Sequence, residues 1–87
     1  MNFLLVESLE ISTVLDSKAN YLQWLSLAPP LTIDASQVNS VDAAGMQLLA
    51  SLFMTAKRAG IEITLVHATN TLNEGIALLG LESLFAE

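Results

Sequence analysis

The stretch "LTIDASQVNSVDAAGMQLLASLFMTAKRAGIEITLVH", Leu31 to His67, reads as strand, loop, helix and strand, and it decides the fold. "LTIDA" (31–35) is short and apolar, with a polar loop, "SQVNSV" (36–41), after it. Asp42 is placed to cap a long helix running to about Ala59. Leu48, Leu49, Leu52, Phe53 and Ala56 form one apolar stripe at helical spacing. Lys57 and Arg58 fall in the last turn, where cations favour the negative end of the helix dipole. Gly60 is the expected left-handed terminator. "IEITLVH" (61–67) is the clearest strand, rich in β-branched residues. A strand, helix, strand unit implies a right-handed crossover between parallel neighbours.

The flanks extend this unit. "NFLLV" and "LEISTV" read as two strands joined as a hairpin at Glu7-Ser8. Asp16 or Ser17 then caps a helix through "KANYLQWLSLA", with Tyr21, Leu22, Leu25 and Ala28 on one face. Pro29-Pro30 stops it, because proline lacks an amide hydrogen and restricts the residue before it. Thr71 and Glu74 match a capping box, so a third helix should begin near Leu72 and end at Gly80. The tail "LESLFAE" offers Leu81, Leu84 and Phe85 to the core. The expected order is β-β-α-β-α-β-α: one α/β domain over residues 1–87, with a mixed, mostly parallel four-stranded sheet and about three helices.

Composition narrows the function classes. Hydrophobic residues make up 53% of the 87, and the mean hydropathy is +0.57. A chain this short has much surface for its volume, so some apolar residues stay outside. A protein partner or a second copy, as a homodimer, would cover them. The formal net charge is −6, with only Lys18, Lys57 and Arg58 positive. That argues against nucleic acid and against anionic lipid, both of which need a basic surface. No apolar run approaches the length of a membrane span, and the N-terminus lacks a basic leader segment. With no cysteine there is no disulfide and no thiolate metal site, which fits a cytoplasmic setting.

Catalytic chemistry is thinly supplied. His67 stands alone, whereas a zinc site needs several converging ligands. No nucleophile-elbow pattern surrounds a serine, and the four glycines are too widely spaced for a phosphate loop. The expectation is a non-enzymatic protein without cofactor or metal. The helix start is the exception. Its free amides and partial positive charge can receive an anion or a partner backbone, and Ala43, Ala44 and Gly45 leave them open. The simpler reading of the same residues is a well-capped helix, with small residues for tight packing on the sheet.

From Leu31 to Phe85 the chain resembles a STAS domain, the sulfate-transporter and anti-sigma-factor-antagonist family. The resemblance lies in a strand ending at Asp34, a short loop, an Asp-x-x-Gly helix start, a basic pair, Gly60, a strand and a last helix. "SLEISTVLD" looks like the family's second strand and its exit. In bacterial members the hydroxyl residue at the helix start is a phosphorylation switch, and the unphosphorylated form binds an anti-sigma kinase. The matching positions are Ala43 and Ala44, so the resemblance implies a degenerate phosphosite fixed in the unmodified, binding-competent state. Ser40 and Ser51 are the nearby hydroxyls left.

The resemblance also extends to the small STAS subunit of phospholipid-transport ABC systems, which grips the ATPase. It keeps the Ala44-Gly45 of that group without its threonine. The implied partner is therefore an anti-sigma kinase-like protein, another signalling protein or an ABC ATPase. The contact surface expected from the family is the helix start with its loop: Ser36, Asn39, Ser40, Asp42, Ala43, Ala44, Gly45, Gln47 and Met54. Helical projection puts Gln47, Ala50, Met54 and Arg58 opposite the Leu48–Leu52 stripe, with Met46 toward its border.

Overall fold

The computed structural model describes residues 2–27 and 29–85. Strand β1 (Asn2–Leu4) leads through Leu5 to a two-residue strand β2 (Ser8–Leu9). A single 3-10 turn over Ile11–Thr13 opens directly into helix α1 (Val14–Leu25). Then come β3 (Leu31–Asp34), the short β4 (Ser40–Val41), the long α2 (Ala43–Arg58), β5 (Ile63–Val66), α3 (Asn70–Leu78) and a last short helix α4 (Glu82–Phe85).

All described strand pairs are parallel. β3 lies between β1 and β5, with Phe3 beside Ile33 and Ile33 beside Leu65. β2 and β4 form a separate pair, Ser8 beside Ser40 and Leu9 beside Val41. This corrects the expected hairpin and the single mixed four-stranded sheet. "LEIST" (9–13) leaves the strand after Leu9 because its polar groups find closer partners. The Thr13 hydroxyl donates to the Ser8 and Glu10 carbonyls, and the Ile11 amide donates to the Asp42 carboxylate. The loop read as "SQVNSV" supplies the unexpected strand β4.

Neither Asp16 nor Ser17 caps α1, which starts earlier, at Val14. Ser17 is buried instead, hydrogen-bonded to Tyr21, whose hydroxyl is pushed up to about 12 by burial. The helix ends before the prolines, where the Ser26 hydroxyl and amide both donate to the Gln23 carbonyl. Ala28 lies outside the described residues. The third helix is capped by Thr69, not Thr71. The Thr69 hydroxyl accepts from the Leu72 amide and donates to the Val38 carbonyl, which ties it to the loop before β4.

Packing follows from strand alternation. Leu31 and Ile33 of β3 are fully buried, each stabilising the fold by roughly 1.5–3 kcal/mol. Their neighbours Phe3, Ile63 and Leu65 pack against the same core. Leu49, Leu52, Phe53 and Ala56 cover that face from α2, as the stripe predicts. Ala50 is buried as well, although the projection puts it outside. The reason is that α2 has neighbours on both flanks, α1 on one and α3 with α4 on the other, so its buried arc is wide. Trp24 stacks on Phe3 at 4.7 Å, and Phe85 meets Phe53 edge-on. Gly60 and Gly80 take the left-handed φ expected of terminators.

The helix α1 runs alongside α2 in the same direction, antiparallel to the strands. Ile11 bonds Asp42 at one end, and Leu22 and Leu25 share a groove with Ser51 and Thr55 further on. The start of α2 therefore sits at the carboxyl ends of the strands, the end where loops and helix starts gather.

Candidate functional site

The site is built on Asp42. It is extended, at φ −131° and ψ 176°, and its two carboxylate oxygens serve two segments. Oδ1 accepts from the Gly45 amide at 2.9 Å, and Oδ2 accepts from the Ile11 amide at 2.9 Å. These backbone N–H groups, Gly45 first, hold its carboxyl below the usual carboxylate range. Its own amide donates to the Leu9 carbonyl. Asp42 thus fastens α2 to β2 and to the turn that starts α1, and both oxygens are engaged inside the domain.

Gly45 does not face a partner. It is buried, and a Cβ built on it would stand 1.8 Å from the Leu9 carbonyl oxygen. That corrects its place in the expected contact surface. Ser40 is half-buried in β4, and Ala44 is half-buried in the first turn. Ser36, Asn39, Ala43 and Gln47 are exposed, as is Met54. Asp34 ends β3 at the same pole; its carboxyl is held low chiefly by the Ser36 amide, 2.8 Å away. His67 follows β5 there, exposed and at φ 59°, a left-handed conformation uncommon for a residue with a side chain.

Exposed apolar residues surround the helix start. Ile11 is 69% exposed on one side, and Leu78 and Leu79 are 86% and 43% exposed on the other. Val41, Ala43, Met46 and Gly75 line a groove with those two leucines. Sequence reading missed this second wall. Its signal is present, since Leu72, Ile76 and Leu79 share one helical stripe while Leu78 falls off it with no inner role. The surface can present apolar side chains and open backbone to a partner. Among the described residues no three potential metal ligands converge.

The helix start thus lies at the carboxyl pole of a parallel sheet in a small α/β domain, capped by Asp42 and flanked by exposed apolar side chains. Among solved structures the domain resembles a sulfate transporter family protein from Wolinella succinogenes, with a TM-score of 0.79 at 15% identity over 98% of this chain and 70% of that one. That likeness speaks for the fold. The family model described as "Mlab, STAS domain" matches residues 5–86, and the chain belongs to that STAS domain family. No curated protein matches it. The family supports a regulatory or accessory role, and its domains are generally non-catalytic mediators of protein–protein contacts. No helix among the described residues is long and apolar enough to cross a membrane.

Proposed function

We propose that this chain is a non-enzymatic regulatory module of the anti-sigma-factor-antagonist type, acting in cytoplasmic partner switching or signalling. Its protein partner meets the start of α2. Ala43 and Ala44 stand where such proteins carry the phosphorylated hydroxyl, so the contact stays in its unmodified form. The observation that carries the reading is the exposed Ala43, set in an apolar surround of Ile11, Leu78 and Leu79, with the Asp42 carboxylate beside it already bonded internally. A partner side chain can close on Ala43 itself without stripping water from the Asp42 carboxylate, whose bonds stay inside the domain.

A second reading is favoured by the description of the family model that matches. In it the same surface grips the ATPase of a phospholipid-transport ABC system. Both readings need the α2 start and differ in the partner.

One experiment tests the shared core. Ala44→Glu adds fixed charge and bulk at the contact, much as a phosphate would. An acid in the first helical turn suits the dipole, so the circular dichroism spectrum should not change. Capture of whichever purified protein the parent chain binds, an anti-sigma kinase or a phospholipid-transport ABC ATPase, should be lost. Ala43→Glu, at an exposed position, is the companion variant, in case Ala44 tolerates no larger side chain. Undiminished capture by both folded variants rules out the α2 start as the interface. Which of the two purified proteins is captured by the parent chain decides between the readings.

A further inference from the structure

We propose that the groove between the start of α2 and helix α3 receives a cationic amphipathic segment of the partner, with lysine or arginine flanking an apolar ridge. The inference rests on the α2 start being the contact surface. It adds the second wall of that surface and the chemistry of what lies in it.

The groove, about 160 Å³, has an apolar floor and walls. Gly75 lets α3 come close: a Cβ there would meet the Val41 side chain at 3.2 Å and the Met46 sulfur at 3.4 Å. Scattered surface leucines are ordinary. Here Leu78 and Leu79 instead share one concavity with Ala43, and its single charged lining group, Asp42, has both oxygens bonded. Such a concavity takes an apolar side chain from outside.

Charge selects the occupant. Glu74 lies one turn before Leu78 and lines a neighbouring hollow with it. Glu7 is exposed where its carbonyl accepts from Asn39 and Ser40, and Glu10 and Asp34 lie at the same pole. No lysine or arginine is there among the described residues. Lys57 and Arg58 close the far end of α2, roughly 24 Å away at 1.5 Å per residue. Lys18 lines the α1–α2 groove beside Ser51 and Thr55. The local field thus has the sign of the whole chain, −6. Near and far charges both draw a cationic segment and repel an acidic one.

Two synthetic helical peptides test this. They share one leucine ridge and differ in the polar face, all lysine or all glutamate. The isotope-labelled full chain is titrated with each. The lysine peptide should shift the amides of Ile11, Ala43, Leu78 and Leu79, more weakly as salt rises from about 0.05 M to about 0.5 M. Glu7→Lys with Glu74→Lys should weaken it roughly three- to tenfold. Leu78→Ser leaves the charge unchanged and should weaken it as well. All three positions are exposed, so the fold survives. Equal binding of the glutamate peptide, shifts confined to another face, or indifference to every substitution overturns the inference. In those cases the Ala44→Glu capture assay still decides the α2 start by itself, so the two failures are distinguishable.

Discussion

Gly45 and Leu9 touch backbone to backbone: a Cβ on Gly45 would lie 1.8 Å from the Leu9 carbonyl oxygen and 2.0 Å from its carbon. The obstacle is main chain held in the β2–β4 pair, so no side chain can move aside. Gly45→Ala must push α2 off β2 or break the bond from the Asp42 amide to the same carbonyl. We expect a loss of about 3 kcal/mol or more, at or above the upper end of ordinary overpacking. Urea denaturation measures it, and a midpoint equal to the parent's would contradict the packing described.

Leu52→Ala probes the inner face of α2. Leu52 is 3% exposed, and its truncation should cost ~2–5 kcal/mol. In a domain this small that lowers Tm by roughly 10 °C or more. A calorimetric shift of a degree or two would mean that the helix turns another face to the sheet.

Acid should weaken the domain through Asp42 and Asp34. Both carboxyls are held low by backbone amides in the folded state. A lowered folded-state value gives stability that is present above the unfolded value and lost as pH falls through the folded one. The loss therefore falls in the acid range, below about pH 5. Relief of mutual repulsion among the other acids works the opposite way, so the informative quantity is a difference. Asp42→Asn keeps an acceptor for Gly45 but lacks the second oxygen for Ile11 and cannot ionise. The stability gap between parent and variant should shrink from pH 7 to pH 3. A constant gap in denaturation midpoints would show that the Asp42 charge contributes nothing.

Phosphorylation of Ser40 and Ser51 should fail. Ser40 is half-buried in β4 beside Ser8, and the Ser51 hydroxyl donates to the Gln47 carbonyl within α2. Ser40 lies in a paired strand and Ser51 inside a helix, so neither stands at an open helix start as the family's switch hydroxyl does. Peptide mapping by mass spectrometry after incubation with an anti-sigma kinase and ATP should find no phosphate at Ser40 or Ser51. A stoichiometric phosphate at Ser40 would show that the switch has moved by a few residues.

What could be read from the sequence was whatever local chemistry determines. Asp42, the Leu48–Ala56 stripe and Gly60 each act within a turn of their own position, and α2 runs as they predict, with Leu48 half-buried at the edge of the stripe. The hairpin failed because alternation in "LEIST" suits a strand, while the 3-10 turn depends on Asp42, over thirty residues away. The Thr71–Glu74 spacing put the start of α3 near Leu72, whereas the helix begins at Asn70. Thr69 caps because its hydroxyl also reaches Val38, a contact that no helix rule contains. In the site, the outward setting of Ala43, Gln47 and Met54 followed from helical projection. The burial of Gly45 did not, since it depends on where β2 lies. The Leu78–Leu79 wall was hidden for the same reason: helix period shows which leucines are spare, and only the tertiary arrangement shows what they stand beside.

The all-parallel pairing also bears on how the chain finds this arrangement. Asn2 meets Thr32, Ser8 meets Ser40 and Leu31 meets Ile63, each pair roughly thirty residues apart, so no two strands can zip from a tight turn. Each ladder closes only after a whole helix has been laid across the gap, and the loop entropy is lost before the sheet gives anything back. On a ribosome β1 waits without a partner until β3 has emerged, and β3 waits in turn for β5. The order of assembly is thereby tied to the order of synthesis: the middle strand must be in place before either edge has anything to hold.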